Sequence, residues 1–140
     1  MEIYKLRPHS KKSCLMSTLG QISAGEPQEI ENSLERIDLN EFLTNGNEDV
    51  FMIRANGDSM ETEIKNGDWL IVNRNLQARN GDKIIASVNG SFTVKTFSSQ
   101  RNGLCLVASN GNYQPREISR KSNFEIFGVV THVLHTIKKI

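Results

Sequence analysis

Short apolar runs rich in β-branched residues follow one another from Val50 onward, and turn dipeptides separate these runs. Short runs of this kind are typical of β-strands, and no segment after Val50 has the apolar spacing of a helix. The predicted strands are residues 50–54, 69–73, 83–88, 92–97, 104–107 and 124–137. We therefore expect a mainly β fold with a single small domain.

The dipeptide Asn-Gly recurs between these runs, at residues 45, 56, 66, 80, 89, 102 and 110. Asparagine and glycine tolerate the positive φ that tight turns require. Asn89-Gly90 stands directly between two predicted strands and therefore predicts a β-hairpin.

The chain before Val50 shows little periodicity, and a boundary falls near Asn45-Gly46. Residues 5–12 are basic and residues 26–32 are polar, so this part is expected to form an extended arm and not a packed element. Residues 33–39 predict a turn of helix that leads into the domain.

Composition limits the possible functions. A chain of 140 residues fits one domain, and its formal charge of +1 gives no overall field for nucleic acid or an anionic membrane. Cys14 and Cys105 match no metal-ligand spacing and favour a reducing compartment. No signal-peptide pattern or run of about 20 apolar residues appears. We expect a soluble cytoplasmic protein with no metal, no cofactor and no membrane contact.

A candidate nucleophile follows the first predicted strand, in Gly57-Asp58-Ser59-Met60. Glycine lets the backbone bend sharply, so that Ser59 and neighbouring N–H groups face a common point, as an oxyanion hole requires. Gly57, Asp58 and Met60 would then support the site. Taken alone, a serine in such a place is more often an ordinary turn residue.

A serine nucleophile needs a base, and the histidines are poorly placed for that role. His9 lies in the arm, while His132 and His135 lie late in the last predicted strand. A lysine replaces histidine when burial lowers its pKa. Strand alternation places Thr93 and Lys95 on one face, which makes Lys95 a candidate base. The alternative is an ordinary lysine on a solvated face.

Several segments, in order along the chain, resemble the catalytic domain shared by the LexA repressor, phage repressors and UmuD. They are Gly57-Asp58-Ser59-Met60, Asn66-Gly67-Asp68-Trp69-Leu70-Ile71-Val72, Asn80-Gly81-Asp82, Phe92-Thr93-Val94-Lys95 and Phe127-Gly128-Val129-Val130-Thr131-His132-Val133. The resemblance covers about residues 20–137, and residues 36–40 resemble UmuD itself. It implies a small curled-sheet domain with Ser59 as nucleophile and Lys95 as general base.

The resemblance also implies a scissile bond between a small residue and glycine, which Ala24-Gly25 matches. Ile22 would enter an apolar patch as the arm lies beside the domain. Without the dyad, this composition is that of a common linker. The expected division is a cleavable arm at residues 1–24, a linker at 25–48 and a β-rich serine-lysine peptidase domain at 49–140.

The UmuD branch of this family implies an SOS-response function. RecA filaments on single-stranded DNA would stimulate self-cleavage, and the trimmed homodimer would serve an error-prone translesion polymerase of the UmuC type. Residues 125–137 are the expected dimer face, because a long apolar edge strand needs a partner. Only 24 residues precede the cut, so direct sequence-specific DNA binding is not expected.

Three other functions stay open at this point. A LexA-like transcriptional repressor inactivated by self-cleavage would need DNA-binding residues ahead of the cut. A relative of the signal peptidases would normally carry a membrane anchor. A non-catalytic β-domain would contain Ser59 and Lys95 without any chemical role.

Overall fold

A computed structural model of the chain describes residues 3–6, 15–18, 24–27, 35–57, 63–100, 103–107, 116–118 and 124–140. The chain divides into two compact units, one of Met1–Leu6 with Asp49–Ile140 and one of Arg7–Glu48. The strands are β1 (Ile3–Leu6), β2 (Leu15–Thr18), β3 (Glu35–Asp38), β4 (Val50–Arg54), β5 (Trp69–Asn73), β6 (Lys83–Val88), β7 (Ser91–Gln100), β8 (Gly103–Val107), β9 (Arg116–Ile118) and β10 (Phe124–Leu134), and the helix is α1 (Leu39–Thr44).

Eight strands of the larger unit form one antiparallel sheet in the order β1-β4-β5-β10-β6-β7-β8-β9. The predicted mainly β fold is thus confirmed, and β4, β5 and β6 have the predicted bounds. Strand β7 is longer than expected. The predicted hairpin is confirmed, because Asn89 and Gly90 have φ of 51° and 84° between β6 and β7.

The helix predicted over residues 33–39 is wrong. Those residues include strand β3, and α1 begins only at Leu39. The side chain of Asp38 caps the helix by accepting hydrogen bonds from the backbone N–H groups of Asn40 and Glu41, at 3.0 and 3.3 Å. Because an N-cap residue has extended backbone, the chain before Asp38 is extended and not helical.

The expectation of an arm without packed elements is also wrong in part. Strand β1 pairs with β4 in the larger unit, and β2 pairs with β3 in the smaller one. Strands β1, β2 and β3 have four residues each, which is too short for a hydrophobic period to be recognised.

Two core clusters hold the sheet together. The first core cluster is Ile53, Ala55, Ile64, Leu70, Val72 and Ile85, and the second is Ile84, Ala86, Val88, Phe97 and Val129. Successive residues of β6 contribute to different clusters, so both faces of this strand are buried. This explains why residues 83–88 read as a nearly continuous apolar run.

Strand β10 lies within the sheet order and is not the edge strand that the sequence suggested. Its first half pairs with β6, and its second half pairs with β5. Gly128 permits this arrangement, because a Cβ atom there would lie 2.7 Å from Val72 Cγ1 and 3.0 Å from the carbonyl oxygen of Asn73. At Val133 and Leu134, none of the described strands pairs with β10 on the side away from β5.

Candidate active site

Lys95 lies near the middle of strand β7. It is half-buried, and it stands opposite the fully buried Ile84 in the β6–β7 pairing. Burial lowers the pKa of the Lys95 amine from its ordinary value of 10.5, because desolvation disfavours the charged form. Lys95 is therefore not an ordinary solvated lysine, and its amine loses a proton more readily than a free lysine does.

The other predicted site residues are divided between the described and undescribed parts of the chain. Asp58, Ser59 and Met60 lie outside the described residues, so their predicted roles stay predictions. Gly57 ends the described turn after β4, with φ of 96°. Ala24 and Gly25 lie in an exposed bend of the smaller unit.

The turn before Ser59 is fixed by a bracket of hydrogen bonds from Asn66-Gly67-Asp68, which we call the first bracket. Ala55 N–H donates to the Asp68 carbonyl at 2.8 Å, and Gly67 N–H donates to the Ala55 carbonyl at 2.7 Å. The Asn66 side chain then accepts from Gly57 N–H at 2.9 Å. The backbone two residues before Ser59 is thus held by main-chain and side-chain bonds.

Asn80-Gly81-Asp82 forms a second bracket with the same bonds at the far end of β7. Phe97 N–H donates to the Asp82 carbonyl at 2.8 Å, and Gly81 N–H donates to the Phe97 carbonyl at 3.0 Å. The Asn80 side chain accepts from Ser99 N–H at 2.6 Å. This bracket holds the backbone two residues beyond Lys95.

The first bracket thus binds the chain two and four residues before Ser59, and the second binds it two and four residues after Lys95. Sequence reasoning used these tripeptides only as turn signals and as part of a family resemblance. The tripeptide Asn-Gly-Asp occurs in both brackets, and this repetition was the sequence signal for their shared structural role. Asparagine accepts one bond, glycine supplies positive φ, and aspartate closes the turn.

A salt bridge holds the other end of the segment that contains Ser59. Lys83 Nζ lies 2.8 Å from Glu63 Oε2, and Lys83 begins β6 beside the residue that faces Lys95. The undescribed residues 58–62 are thus bounded by Gly57 in the first bracket and by Glu63 in this ion pair. Sequence reasoning missed the pair because its partners are 20 residues apart in the chain.

A pocket of about 190 Å³ lies between the end of β4 and the start of β7. Its lining combines apolar side chains with the polar Arg54 and Asn56, and Thr93 adds a hydroxyl close to Lys95 in sequence. The lining residues are Ile53, Arg54, Ala55, Asn56, Leu70, Ile85, Phe92, Thr93 and Val94. A pocket of this size and chemistry suits an apolar side chain of an extended peptide.

Of the described histidines, His135 has a carboxylate partner that sequence reasoning did not find. His135 Nδ1 donates to Asp68 Oδ1 at 2.6 Å, and Asp68 is only 4% exposed. His132 Nδ1 lies 2.9 Å from Thr131 Oγ1. Neither contact involves Lys95.

In the described part of the chain, no group of three or more His, Cys, Asp or Glu side chains has an arrangement suited to a metal ion. No helix among those residues is long and apolar enough to cross a membrane.

The β fold, the lysine with a lowered pKa and the bracketed turn before a serine define a class that comparison with known proteins identifies. Residues 17–131 match the family described as Peptidase S24-like, and the chain belongs to this family, which comprises self-cleaving serine peptidases. The resemblance to the LexA/UmuD group is thereby confirmed.

The similar proteins include LexA repressors and proteins named ImpA. The chain is 37% identical to the LexA repressor of Syntrophobacter fumaroxidans over 123 residues, which are 86% of this chain and 58% of that repressor. It is 34% identical to Protein ImpA of Salmonella typhimurium over 108 residues, covering 76% of this chain and 72% of ImpA. The match thus spans less than two thirds of the LexA repressor.

Proposed function

We propose that this chain is a serine endopeptidase that cuts its own Ala24–Gly25 bond, with Ser59 as nucleophile and Lys95 as general base. The observation that carries the proposal is the half-buried amine of Lys95, whose pKa is lowered by desolvation. Membership of a family of self-cleaving serine peptidases supports the same assignment. No metal or cofactor takes part in the proposed reaction.

The proposed reaction follows from the charge state of Lys95. Its neutral amine takes the proton from the Ser59 hydroxyl, whose oxygen attacks the carbonyl carbon of Ala24. Backbone N–H groups near Ser59 stabilise the oxyanion. The Ala24–Gly25 bond then breaks, the Gly25 amine leaves with the proton from Lys95, and water hydrolyses the acyl-enzyme.

The pocket between β4 and β7 supplies a place for the substrate segment. Ile22 lies two residues before the scissile bond, so in an extended segment its side chain points to the same side as that of Ala24. We infer that Ile22 enters the pocket lined by Ile53 and Leu70. Ile22→Asp should then slow cleavage without changing the fold.

The test is incubation of the purified chain at neutral and alkaline pH, followed by mass spectrometry. We expect a fragment that begins at Gly25, formed faster at alkaline pH because more Lys95 is neutral. Ser59→Ala and Lys95→Ala should both abolish it while circular dichroism stays unchanged. Cleavage that persists in either folded variant would refute the dyad.

For the biological role, we propose that the chain is a UmuD-like cytoplasmic protein of the SOS response. RecA filaments on single-stranded DNA would stimulate the cut, and the trimmed protein would serve as accessory subunit of a UmuC-type translesion polymerase. Similarity to Protein ImpA and the resemblance of residues 36–40 to UmuD support this choice. Co-purification with such a polymerase before and after cleavage tests it.

We also propose that the chain works as a symmetric homodimer. At Val133 and Leu134 no described strand pairs with β10 on the side away from β5, and both of these residues and the nearby Ile137 are exposed apolar residues. Pairing of this side with a second copy would cover them. Leu134→Asp should shift the mass in solution from dimer to monomer.

A LexA-like repressor is the second candidate, favoured by 37% identity to a LexA repressor over most of this chain. A repressor would bind duplex DNA before cleavage and lose that binding after it. A filter-binding assay with duplex operator DNA separates the two roles, because the UmuD-like reading predicts no sequence-specific retention in either state.

A further inference from the structure

Strand β1 lies on the N-terminal side of the proposed cut, yet it belongs to the sheet of the larger unit. It is the outermost strand beside β4, with Ile3 opposite Ile53 and Leu6 opposite Val50. Cleavage at Ala24–Gly25 would therefore break the covalent link between β1 and the strand with which it pairs.

Strand β1 is held by few contacts besides its backbone pairing. Of its four residues, only Leu6 is part-buried. The Tyr4 ring lies 5.8 Å from that of Trp69, and Lys5 Nζ lies 3.8 Å from Asp49 Oδ1. Exposed ion pairs contribute little, and a short strand on its own gains little from pairing.

A covalent tether compensates for such weak binding. A strand on the same chain meets its site at an effective concentration far above that of a separate fragment. After the cut, the described strands of residues 1–24 keep only two four-residue pairings with the rest of the chain, β1 with β4 and β2 with β3, and no covalent link. The expected result is that β1 stays on β4 while the chain is intact and leaves once the chain is cut.

We propose that the exposed edge of β4 is a peptide-binding site that self-cleavage opens, and that its ligand is an extended segment of a partner protein. The ligand adds to the sheet antiparallel to Val50–Arg54 and replaces β1. This inference rests on the proposed function for the cut at Ala24–Gly25, although the site itself does not depend on the Ser59–Lys95 chemistry.

The contacts of β1 define the chemistry of that ligand. Tyr4 makes a tilted ring contact with Trp69, Lys5 forms an ion pair with Asp49, and Leu6 is part-buried opposite Val50. A replacement strand of the sequence aromatic–basic–aliphatic makes all three contacts. Backbone hydrogen bonds to β4 supply affinity, and these side chains supply selectivity. An unpaired edge is an aggregation hazard, which favours prompt capture of a partner strand.

The experiment uses a fluorescent peptide with the sequence of residues 1–8, MEIYKLRP, and three forms of the protein. These are the intact chain, the intact chain with Tyr4→Pro and Lys5→Pro, and the chain after self-cleavage. Proline removes backbone donors, so the double variant frees the β4 edge without any cut. Fluorescence anisotropy should show binding about tenfold or more tighter to the second and third forms than to the first.

Two controls keep the result specific to this edge. A peptide with Tyr4→Ala and Leu6→Asp should bind none of the forms, because it lacks the aromatic and aliphatic contacts. Hydrogen exchange of Val50–Arg54 amides should quicken in the second and third forms and slow again with the original peptide. Unchanged protection of Ile84–Ala86 amides shows that the core of the proline variant is folded.

The outcomes separate this inference from the proposed function. If the chain does not cut itself but the proline variant binds the peptide, the edge site stands and the peptidase assignment fails. If the chain cuts itself but its Val50–Arg54 amides stay as protected as in the intact chain, or it takes no peptide, the edge site is refuted while the peptidase assignment stands. Binding of the control peptide as tightly as the original also overturns it.

Discussion

The imidazole Nδ1 of His135 donates a hydrogen bond of 2.6 Å to Asp68 Oδ1, and this contact connects the chain after β10 to the first bracket. Asp68 Oδ2 accepts a second bond, from Lys65 N–H at 2.8 Å. A buried carboxylate needs such donors, because burying its charge without a hydrogen-bond partner costs much more free energy than leaving it in water. Asp68 is therefore a structural centre of the first bracket.

We expect Asp68→Ala to destabilise the protein by about 2 kcal/mol, since it leaves the Lys65 N–H and the His135 ring without an acceptor. Asp82→Ala is the matched control. Asp82 accepts the equivalent bond from Arg79 N–H at 2.8 Å but is less buried. Urea unfolding of both variants measures the difference, and equal losses would show that the His135 contact adds no stability.

The brackets also predict an effect on cleavage. Asn66→Ala removes the acceptor for Gly57 N–H and loosens the turn before Ser59, so we expect self-cleavage to slow about tenfold or more with the fold retained. Asn80→Ala acts two residues beyond Lys95 and should slow it as well. Asn75→Ala, in an exposed turn, should leave the rate unchanged. Wild-type rates in both bracket variants would contradict the positioning role.

Much of the sheet was predictable because several of its strands carry a local sequence signal. β6 is buried on both faces and so reads as an apolar run, and the turn at Asn89-Gly90 has a residue pair suited to positive φ. The strands β1 and β2 were missed because their pairing partners are distant in sequence. The four residues of each strand contain no signal for the strand with which they pair.

The site divides in the same way. Lys95 was identifiable because strand alternation and the family resemblance both mark it, and the structure adds the burial that lowers its pKa. The Glu63–Lys83 and Asp68–His135 contacts were not identifiable, since each joins residues that meet only when the sheet forms. Long-range pairs of this kind leave no local pattern.

The charge state of Lys95 predicts the result of a conservative change. Arginine stays protonated at every accessible pH, so Lys95→Arg should abolish self-cleavage from neutral to strongly alkaline conditions. Lys83→Arg is the matched control, because it changes the neighbouring strand and preserves the ion pair with Glu63. The wild-type rate should rise with pH through a pKa below 10.5 and then level off. A Lys95→Arg protein that cuts itself would remove lysine from the mechanism.

The same lowered pKa links stability to pH. Below the folded-state pKa of Lys95 the folded protein bears the full cost of a desolvated charge. Between that pKa and 10.5 the unfolded chain still holds the proton that the folded chain has released, so stability rises with pH through this window. Relative to Lys95→Met, wild-type stability in urea should therefore rise as the solution becomes alkaline. A constant difference would mean that Lys95 has an ordinary pKa.

Gly128 gives the sharpest prediction about packing. A methyl group there would meet Val72 Cγ1 at 2.7 Å and the Asn73 carbonyl oxygen at 3.0 Å, where β10 passes β5. Gly128→Ala should cost about 1–3 kcal/mol in urea unfolding, because the backbone atom cannot move aside. Adding Val72→Ala removes one of the two clashes, so the double variant should lose less stability than the sum of the single changes. An unchanged unfolding midpoint for Gly128→Ala would show that the two strands separate easily, and strict additivity would place the strain on the Asn73 carbonyl alone.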